Sequence, residues 1–255
     1  MITLRRATER RHVQSGKHDV WQTFYPQDLP GRLADGFGHL TSFNEMRFPP
    51  GGASPPHRRD ETEIVTYVYK GALAQEDSTG NSAVIHAGEF ERLTAGPGIR
   101  HKELNASRTD WAHVFQISLR PAEAGLECAR EQKRFTVAQR RNVLCVIASP
   151  DGRKGSLRIH QDAFIYSSIL DPGLHLVHEL MTGRSDWLHI MYGEATLDDI
   201  VLTQGDGVGV TTEPSVSMTV RENTEILLVD LGPTAELFQK RSCPMSSQQE
   251  RSTTI

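Results

Sequence analysis

From Phe43 to about Leu119 the chain alternates short β-branched and aromatic runs with clusters of Gly, Pro, Asn and Asp, and no stretch sustains the 3.6-residue repeat of a helix. Ile64-Val65-Thr66-Tyr67-Val68-Tyr69 is one such run, closed by Lys70-Gly71. Ala72-Leu73-Ala74-Gln75-Glu76-Asp77 follows, then the turn signal Ser78-Thr79-Gly80-Asn81, then Ser82-Ala83-Val84-Ile85-His86 before Ala87-Gly88-Glu89. Strand, turn, strand and turn in quick order predict a β-barrel or sandwich. Pro121 to Gln139 breaks the pattern, being rich in Glu, Ala, Arg and Gln, and reads as a linker with one short helix. The β pattern resumes at Val143–Ile147, Ser156–His160, Ala163–Tyr166 and Leu174–Leu180. Val65–Gly71 followed by Ala87-Gly88-Glu89 has an echo in Leu188–Glu194 followed by Gln204–Gly207, which suggests a duplicated unit. The expected organisation is a first β domain over 1–121, a linker over 122–142, a second β domain over 143–233, and a Ser-, Gln- and Thr-rich tail over 234–255 that reads as mobile. Trp21 and Phe24 are expected in a strand or cover spanning the two domains.

The 255 residues suffice for one large or two small β domains. A formal charge of −4 gives no electrostatic reason to expect direct contact with nucleic acid or an anionic membrane, so a small-molecule ligand fits better. No apolar run approaches the roughly 18 residues that span a bilayer, and Met1–His12 lacks the apolar core of a secretory signal, so a cytoplasmic protein is expected. Cys128, Cys145 and Cys243 are odd in number, widely spaced and without a C-x-x-C pair, which reads as three reduced thiols.

The informative constellation is His57, Arg59 and Glu63 near the start of one strand, with His101, Glu103 and Asn105 after a later glycine turn. Alternate residues of a strand share a face, so His101, Glu103 and Asn105 can point together into a barrel, as can His57 and Arg59. Two imidazoles and one carboxylate suit a divalent first-row metal and leave coordination positions open. His175 and His178 are three apart and fall on opposite faces of a strand. With no His and carboxylate clustered on one strand face, the C-terminal half is expected to carry no metal. His86, His160 and His189 read as hydrogen-bonded structural histidines.

Pro55-Pro56-His57, Glu63–Val68, Glu76–Asn81, Ala87–Phe90 and Thr94–Glu103 together resemble the N-terminal signature of the pirin family. The likeness continues through Arg134-Phe135, Gly155–Leu157, His160–Asp162 and Leu227–Leu231, and is strongest to the bacterial branch that includes quercetinases. The resemblance implies an all-β bicupin of two double-stranded β-helix barrels, with three histidines and a glutamate holding one metal in the first barrel and none in the second. By position, His57 matches the first histidine, His101 the third and Glu103 the glutamate, while Glu63 is left as pocket-lining or structural. Where the family has His-Pro-His, this chain reads His57-Arg58-Arg59, which puts Arg59 at the second ligand position. A guanidinium stays protonated and has no lone pair to donate to a metal. Arg59 therefore either pairs with Glu103 in a metal-free pocket or swings outward and leaves a three-ligand site completed by water or by His113.

Two functions follow from the resemblance. The first is a quercetin 2,3-dioxygenase-type oxygenase acting on a flavonol-like small molecule, with iron as the first-choice metal (nickel, manganese, copper or zinc as alternatives), weakly bound, and Glu103 as the catalytic base. The second is a non-catalytic binding or regulatory protein whose altered pocket takes a small acidic ligand or a protein partner, for which Arg58 and Arg59 would suit an anion.

Overall fold

The computed structural model describes residues 1–25 and 33–234, and in these the chain is almost wholly β. Two similar halves each combine a seven-stranded and a four-stranded sheet. In the first half the large sheet runs in the order Ala129–Arg134, Glu89–Thr94, Glu63–Lys70, Ala112–Leu119, Leu40–Phe48, His18–Gln22, Arg11–Ser15. Its small sheet runs His57–Arg59, Ile99–Asn105, Ala72–Asp77, Ser82–His86. The second half repeats this with a large sheet ordered Ile2–Arg5, Gly207–Thr211, Ser185–Tyr192, Thr224–Leu231, Ala163–Leu170, Cys145–Ser149, Leu157–Arg158. Its small sheet is His175–Glu179, Ser215–Val220, Glu194–Leu197, Ile200–Thr203.

The echo in the sequence is a structural repeat. Glu63–Lys70 turns through Gly71 into Ala72–Asp77, and Ser185–Tyr192 turns through Gly193 into Glu194–Leu197. Both glycines adopt positive φ, +77° and +88°, and a Cβ there would meet the carbonyl oxygens of Trp111 at 2.6 Å and Asn223 at 2.3 Å. Only glycine fits such a corner.

The two large sheets pack on each other, so their central strands are buried on both faces and read as continuous rather than alternating apolar runs. Val65 and Tyr67 face the joint core between the halves with Phe115, Ile117, Trp187, Leu227 and Val229, while Val68 and Val114 point inward with Leu73 and Ile85. Trp187 is fully buried, and Phe24 meets it edge to face at 4.7 Å, so Phe24 does bridge the halves; Trp21 lies in the His18–Gln22 strand and stacks on His12 instead. Polar links reinforce the joint. Tyr67 Oη donates to Glu225 Oε1 at 2.7 Å, and Arg140 Nη1 donates to the same oxygen at 2.8 Å.

Two segments depart from simple reading. Ile2–Arg5 pairs with Gly207–Thr211, so the first strand of the chain completes the second large sheet. Ala129–Arg134, within the stretch read as linker, is an outer strand on Glu89–Thr94, followed by the short helix Val137–Arg140 with Thr136 as its N-cap. Cys128 and Cys145 are free thiols, and Cys243 and the expected mobile tail from 235 onward lie outside the described residues. No described helix is long and apolar enough to cross a membrane.

Candidate metal centre

The small sheet of the first half carries the candidate ligands. Antiparallel pairing sets His57 directly opposite His101, and Arg59 opposite Ile99, so His57, Arg59, His101 and Glu103 leave the same side of the sheet. His57 Nε2 and His101 Nε2 lie 2.7 Å apart. That is the spacing of an N–H···N hydrogen bond between neutral rings. Two nitrogens bound to one ion at about 2.1 Å would stand about 3.0 Å or more apart, so the rings need part by only a few tenths of an ångström to share a cation.

Burial, reinforced by the Arg59 charge, holds His57 below the usual imidazole range. Burial, the His57 ring and Arg59 together push His101 down to about 3. Both rings are therefore neutral at physiological pH, the state in which imidazole binds metals. His57 Nδ1 lies 3.1 Å from the Pro55 carbonyl, an arrangement that puts the proton on Nδ1 and frees Nε2 as a donor atom. His101 Nδ1 is buried without a hydrogen-bond partner.

Glu103 is 2% exposed and held from several directions. Its Oε1 accepts from Gln116 Nε2 at 2.5 Å and from Gln75 Nε2 at 3.3 Å, and its backbone N–H donates to Ser54 Oγ at 3.0 Å. Arg130 fixes the Gln75 amide by donating to its Oε1 at 2.7 Å, and is itself anchored on Glu91 and Asp77. Burial pushes the Glu103 carboxyl up to about 7, against the pull of Arg59 and Gln116. Its carboxylate does not join the two imidazole nitrogens in a common cluster of possible ligand atoms. The structure thus brings His57 and His101 together and leaves Glu103 adjacent, engaged by two amides.

The pairing of Arg59 with Glu103, one of the two arrangements expected, is not made. Arg59 forms no ion pair or hydrogen bond among the described residues, and its Nε is buried without a partner. His113 is not a fourth ligand, because its Nε2 lies 2.8 Å from Glu45 Oε1 beside Arg10, in the cleft between the halves. Asn105 spends its amide on the carbonyls of Phe48, Pro49 and Asp110 and serves the loop above the sheet. Glu63 is fully buried and structural, accepting from Thr94 Oγ1 and from the His160 backbone N–H. His160 is bonded as expected, its Nδ1 2.8 Å from Glu63, but His189 is not: both its nitrogens lack partners, and it packs against Phe43 at 4.2 Å. A cavity of about 370 Å³ opens beside this region, lined by Asp77, Glu91 and Arg130; a larger one of about 510 Å³ lies between the halves by Trp21, Tyr69, Trp111 and Tyr192.

Gln75, Gln116 and Arg130 were not legible as site residues. Gln116 did carry a signal, since it interrupts the apolar run Val114-Phe115-Gln116-Ile117 at an inward position. A second omission lies in the other barrel. His178, Asp186 and Asp230 come from three different strands, and their candidate ligand atoms all lie within 4.8 Å of one another. The expectation considered only His and carboxylate clustered on one strand face; this group is assembled from three strands, which one-strand patterns cannot reveal.

Comparison with known proteins agrees with this architecture. Residues 7–119 match the family model described as Pirin, and 146–231 the one described as Quercetinase C-terminal cupin domain. Quercetin 2,3-dioxygenase of Escherichia coli K12 is 35% identical over 233 residues, covering 91% of this chain and all of that protein. A pirin-like protein of Caulobacter vibrioides is 30% identical over 76% of this chain and 84% of its own length. Among solved structures, the bacterial pirin YhhW of Escherichia coli in complex with nickel(II) superposes with a TM-score of 0.85 at 34% identity, covering 92% of this chain and all of that one. A quercetin 2,3-dioxygenase from Acinetobacter baumannii shares the fold with a TM-score of 0.71 at 16% identity, covering 88% of this chain and 84% of that one.

Proposed function

The chain belongs to the pirin family, as two cupin-type β-barrels, and from that premise we propose that it is a metal-dependent oxygenase of the quercetin 2,3-dioxygenase type acting on a flavonol-like small molecule. His57, His101 and Glu103 are its metal ligands in this reading, and Glu103 is also its base. The observation that carries it is the convergence of the His57 and His101 Nε2 atoms, both neutral, beside a buried carboxyl whose pKa has risen to about 7. The nickel(II) complex of the similar YhhW and the names of the relatives support it.

The donor set fits a divalent first-row ion at the two imidazoles, with Glu103 beside them as the carboxylate that would complete the set. When bound, such an ion supplies Lewis acidity toward a substrate oxygen. The rest of the chemistry lies in this chain's own side chains. Gln116 and Gln75 occupy Glu103 Oε1, which leaves Oε2 as the atom that takes the proton of a substrate hydroxyl. A carboxyl balanced near neutrality is suited to that transfer, because it is ionised often enough to accept and is stabilised by burial once protonated. Arg130, through Gln75, keeps the carboxyl from rotating.

A second reading rests on Arg59. Its unpaired guanidinium beside two neutral imidazoles would hold an anion in a metal-free pocket, as in a binding or regulatory protein. Metal analysis of the purified protein, followed by oxygen-dependent loss of quercetin absorbance after loading with iron, nickel, manganese or copper, separates the two. Metal-dependent turnover supports the oxygenase; metal-independent binding of an acidic ligand with no turnover under any loading supports the second.

A further inference from the structure

The second barrel contains a carboxylate with no visible reason to be there. Asp186 is fully buried, yet neither of its oxygens accepts a hydrogen bond. Leaving a buried carboxylate unpaired is costly, and such groups are normally paired or bound to a cation. What faces it is His178 Nε2, 3.6 Å from Asp186 Oδ2 and 3.4 Å from Asp230 Oδ2. Neither distance is that of a good hydrogen bond. Both match the edge of a coordination tetrahedron, since ligand atoms each about 2.1 Å from one ion stand about 3.4 Å apart.

We propose that His178 Nε2, Asp186 and Asp230 Oδ2 form a second divalent-cation site, in the C-terminal barrel, suited to Zn²⁺ or Mn²⁺. The charge around it agrees. Arg184 donates to Asp230 Oδ1 at 2.5 Å and to Asp162 Oδ1 at 2.8 Å, so one guanidinium is shared between those two carboxylates and makes no bond to Asp186. Arg184 also orients Asp230, fixing Oδ1 so that Oδ2 turns toward His178, a second layer of the kind that metal ligands require. One imidazole and two carboxylates make a borderline-to-hard donor set, which favours zinc and manganese over softer ions. The His178 side chain keeps 13% exposure, and the ring of Tyr166 lies 5.3 Å from its ring, centroid to centroid. His178 comes from the outer strand of its small sheet, as His57 does in the first barrel.

The competing state is metal-free, with His178 as an imidazolium between the two carboxylates. The full chain carrying His101→Ala, stripped with chelator and titrated with Zn²⁺ and with Mn²⁺ by calorimetry, separates the two and is independent of the first barrel. One equivalent of ion per chain is expected, weakened at least about a hundredfold by Asp186→Asn and by His178→Ala, a range typical for losing a metal ligand or its support. The manganese complex should show nitrogen coupling from a single imidazole in pulsed electron paramagnetic resonance, lost in His178→Ala. Asp186→Asn is nearly isosteric and His178 is only partly buried, so circular dichroism of both should match the parent. Absence of a bound equivalent in His101→Ala, or its survival in either variant, overturns the proposal.

Discussion

Arg59 follows His57 by two residues on one short strand, so the guanidinium and the imidazole leave the same face of the sheet beside His101. A permanent cation therefore stands where the family pattern would have an imidazole, and it contributes to the low pKa of both histidines. The histidines remain neutral donors while the neighbouring charge repels any cation they would bind. Much of the behaviour of the first barrel follows from that opposition.

His101→Ala removes one of two convergent donors and the ring against which His57 packs at 4.2 Å. Metal in the first barrel should fall below detection by elemental analysis of a chain that also carries Asp186→Asn, and oxygen-dependent quercetin loss should vanish with it. The thermal midpoint of the metal-free protein should fall only modestly, because His101, although buried, lies on the small sheet and outside the joint core.

Glu103 titrates in the direction opposite to most carboxylates. Its folded pKa, about 7, exceeds the unfolded value of about 4.3, so its contribution to stability is fully present below pH 4.3 and is lost as pH rises toward 7. Glu103→Gln cannot ionise. In the metal-free protein it should be more stable than the parent by on the order of 2 kcal/mol at pH 8 and indistinguishable at pH 4 in urea titrations. Quercetin turnover should nevertheless be lost.

Glu45 shows the ordinary sign. Bonds from His113 and Arg10 outweigh its burial and hold it far below the usual carboxylate range, so its stabilisation is present above about pH 4.3 and lost as pH falls below it. Glu45→Gln strands the buried Arg10 guanidinium and should cost about 3 kcal/mol at pH 7, in the range for breaking a buried pair, with the difference from wild type shrinking below pH 4.

How much of this the sequence discloses depends on whether the relevant neighbours are close along one strand. Ile64–Tyr69 is legible because β-branched and aromatic residues crowd a strand buried on both faces, and His101 with Glu103 because alternation alone puts them side by side. Ala129–Arg134 is hidden because an outer strand, largely exposed, carries charged residues that read as linker. Ile2–Arg5 meets a partner some two hundred residues away, and no local pattern announces that. Asp186 and Asp230 sit directly opposite each other on neighbouring strands, yet each by itself is one acid in an apolar run. The absence of an Arg59–Glu103 pair was equally illegible, since it depends on Gln75 and Gln116 holding the carboxylate first.

Trp187 tests the joint between the barrels. Fully buried and flanked by Phe24 and Phe37, it fills the space between the two large sheets. Trp187→Ala should cost about 3–5 kcal/mol and replace a single calorimetric transition by two, as each barrel loses its main apolar contact with the other.

The central claim is that His57 and His101 form a metal site whose affinity Arg59 limits, and calorimetric titration with Ni²⁺ tests it most directly. In chains carrying Asp186→Asn, so that the first barrel alone is read, Arg59→His should bind Ni²⁺ at least about tenfold more tightly than the parent, a gain of about 1.4 kcal/mol. Equal affinities in the two proteins would contradict the account and remove Arg59 from control of the site.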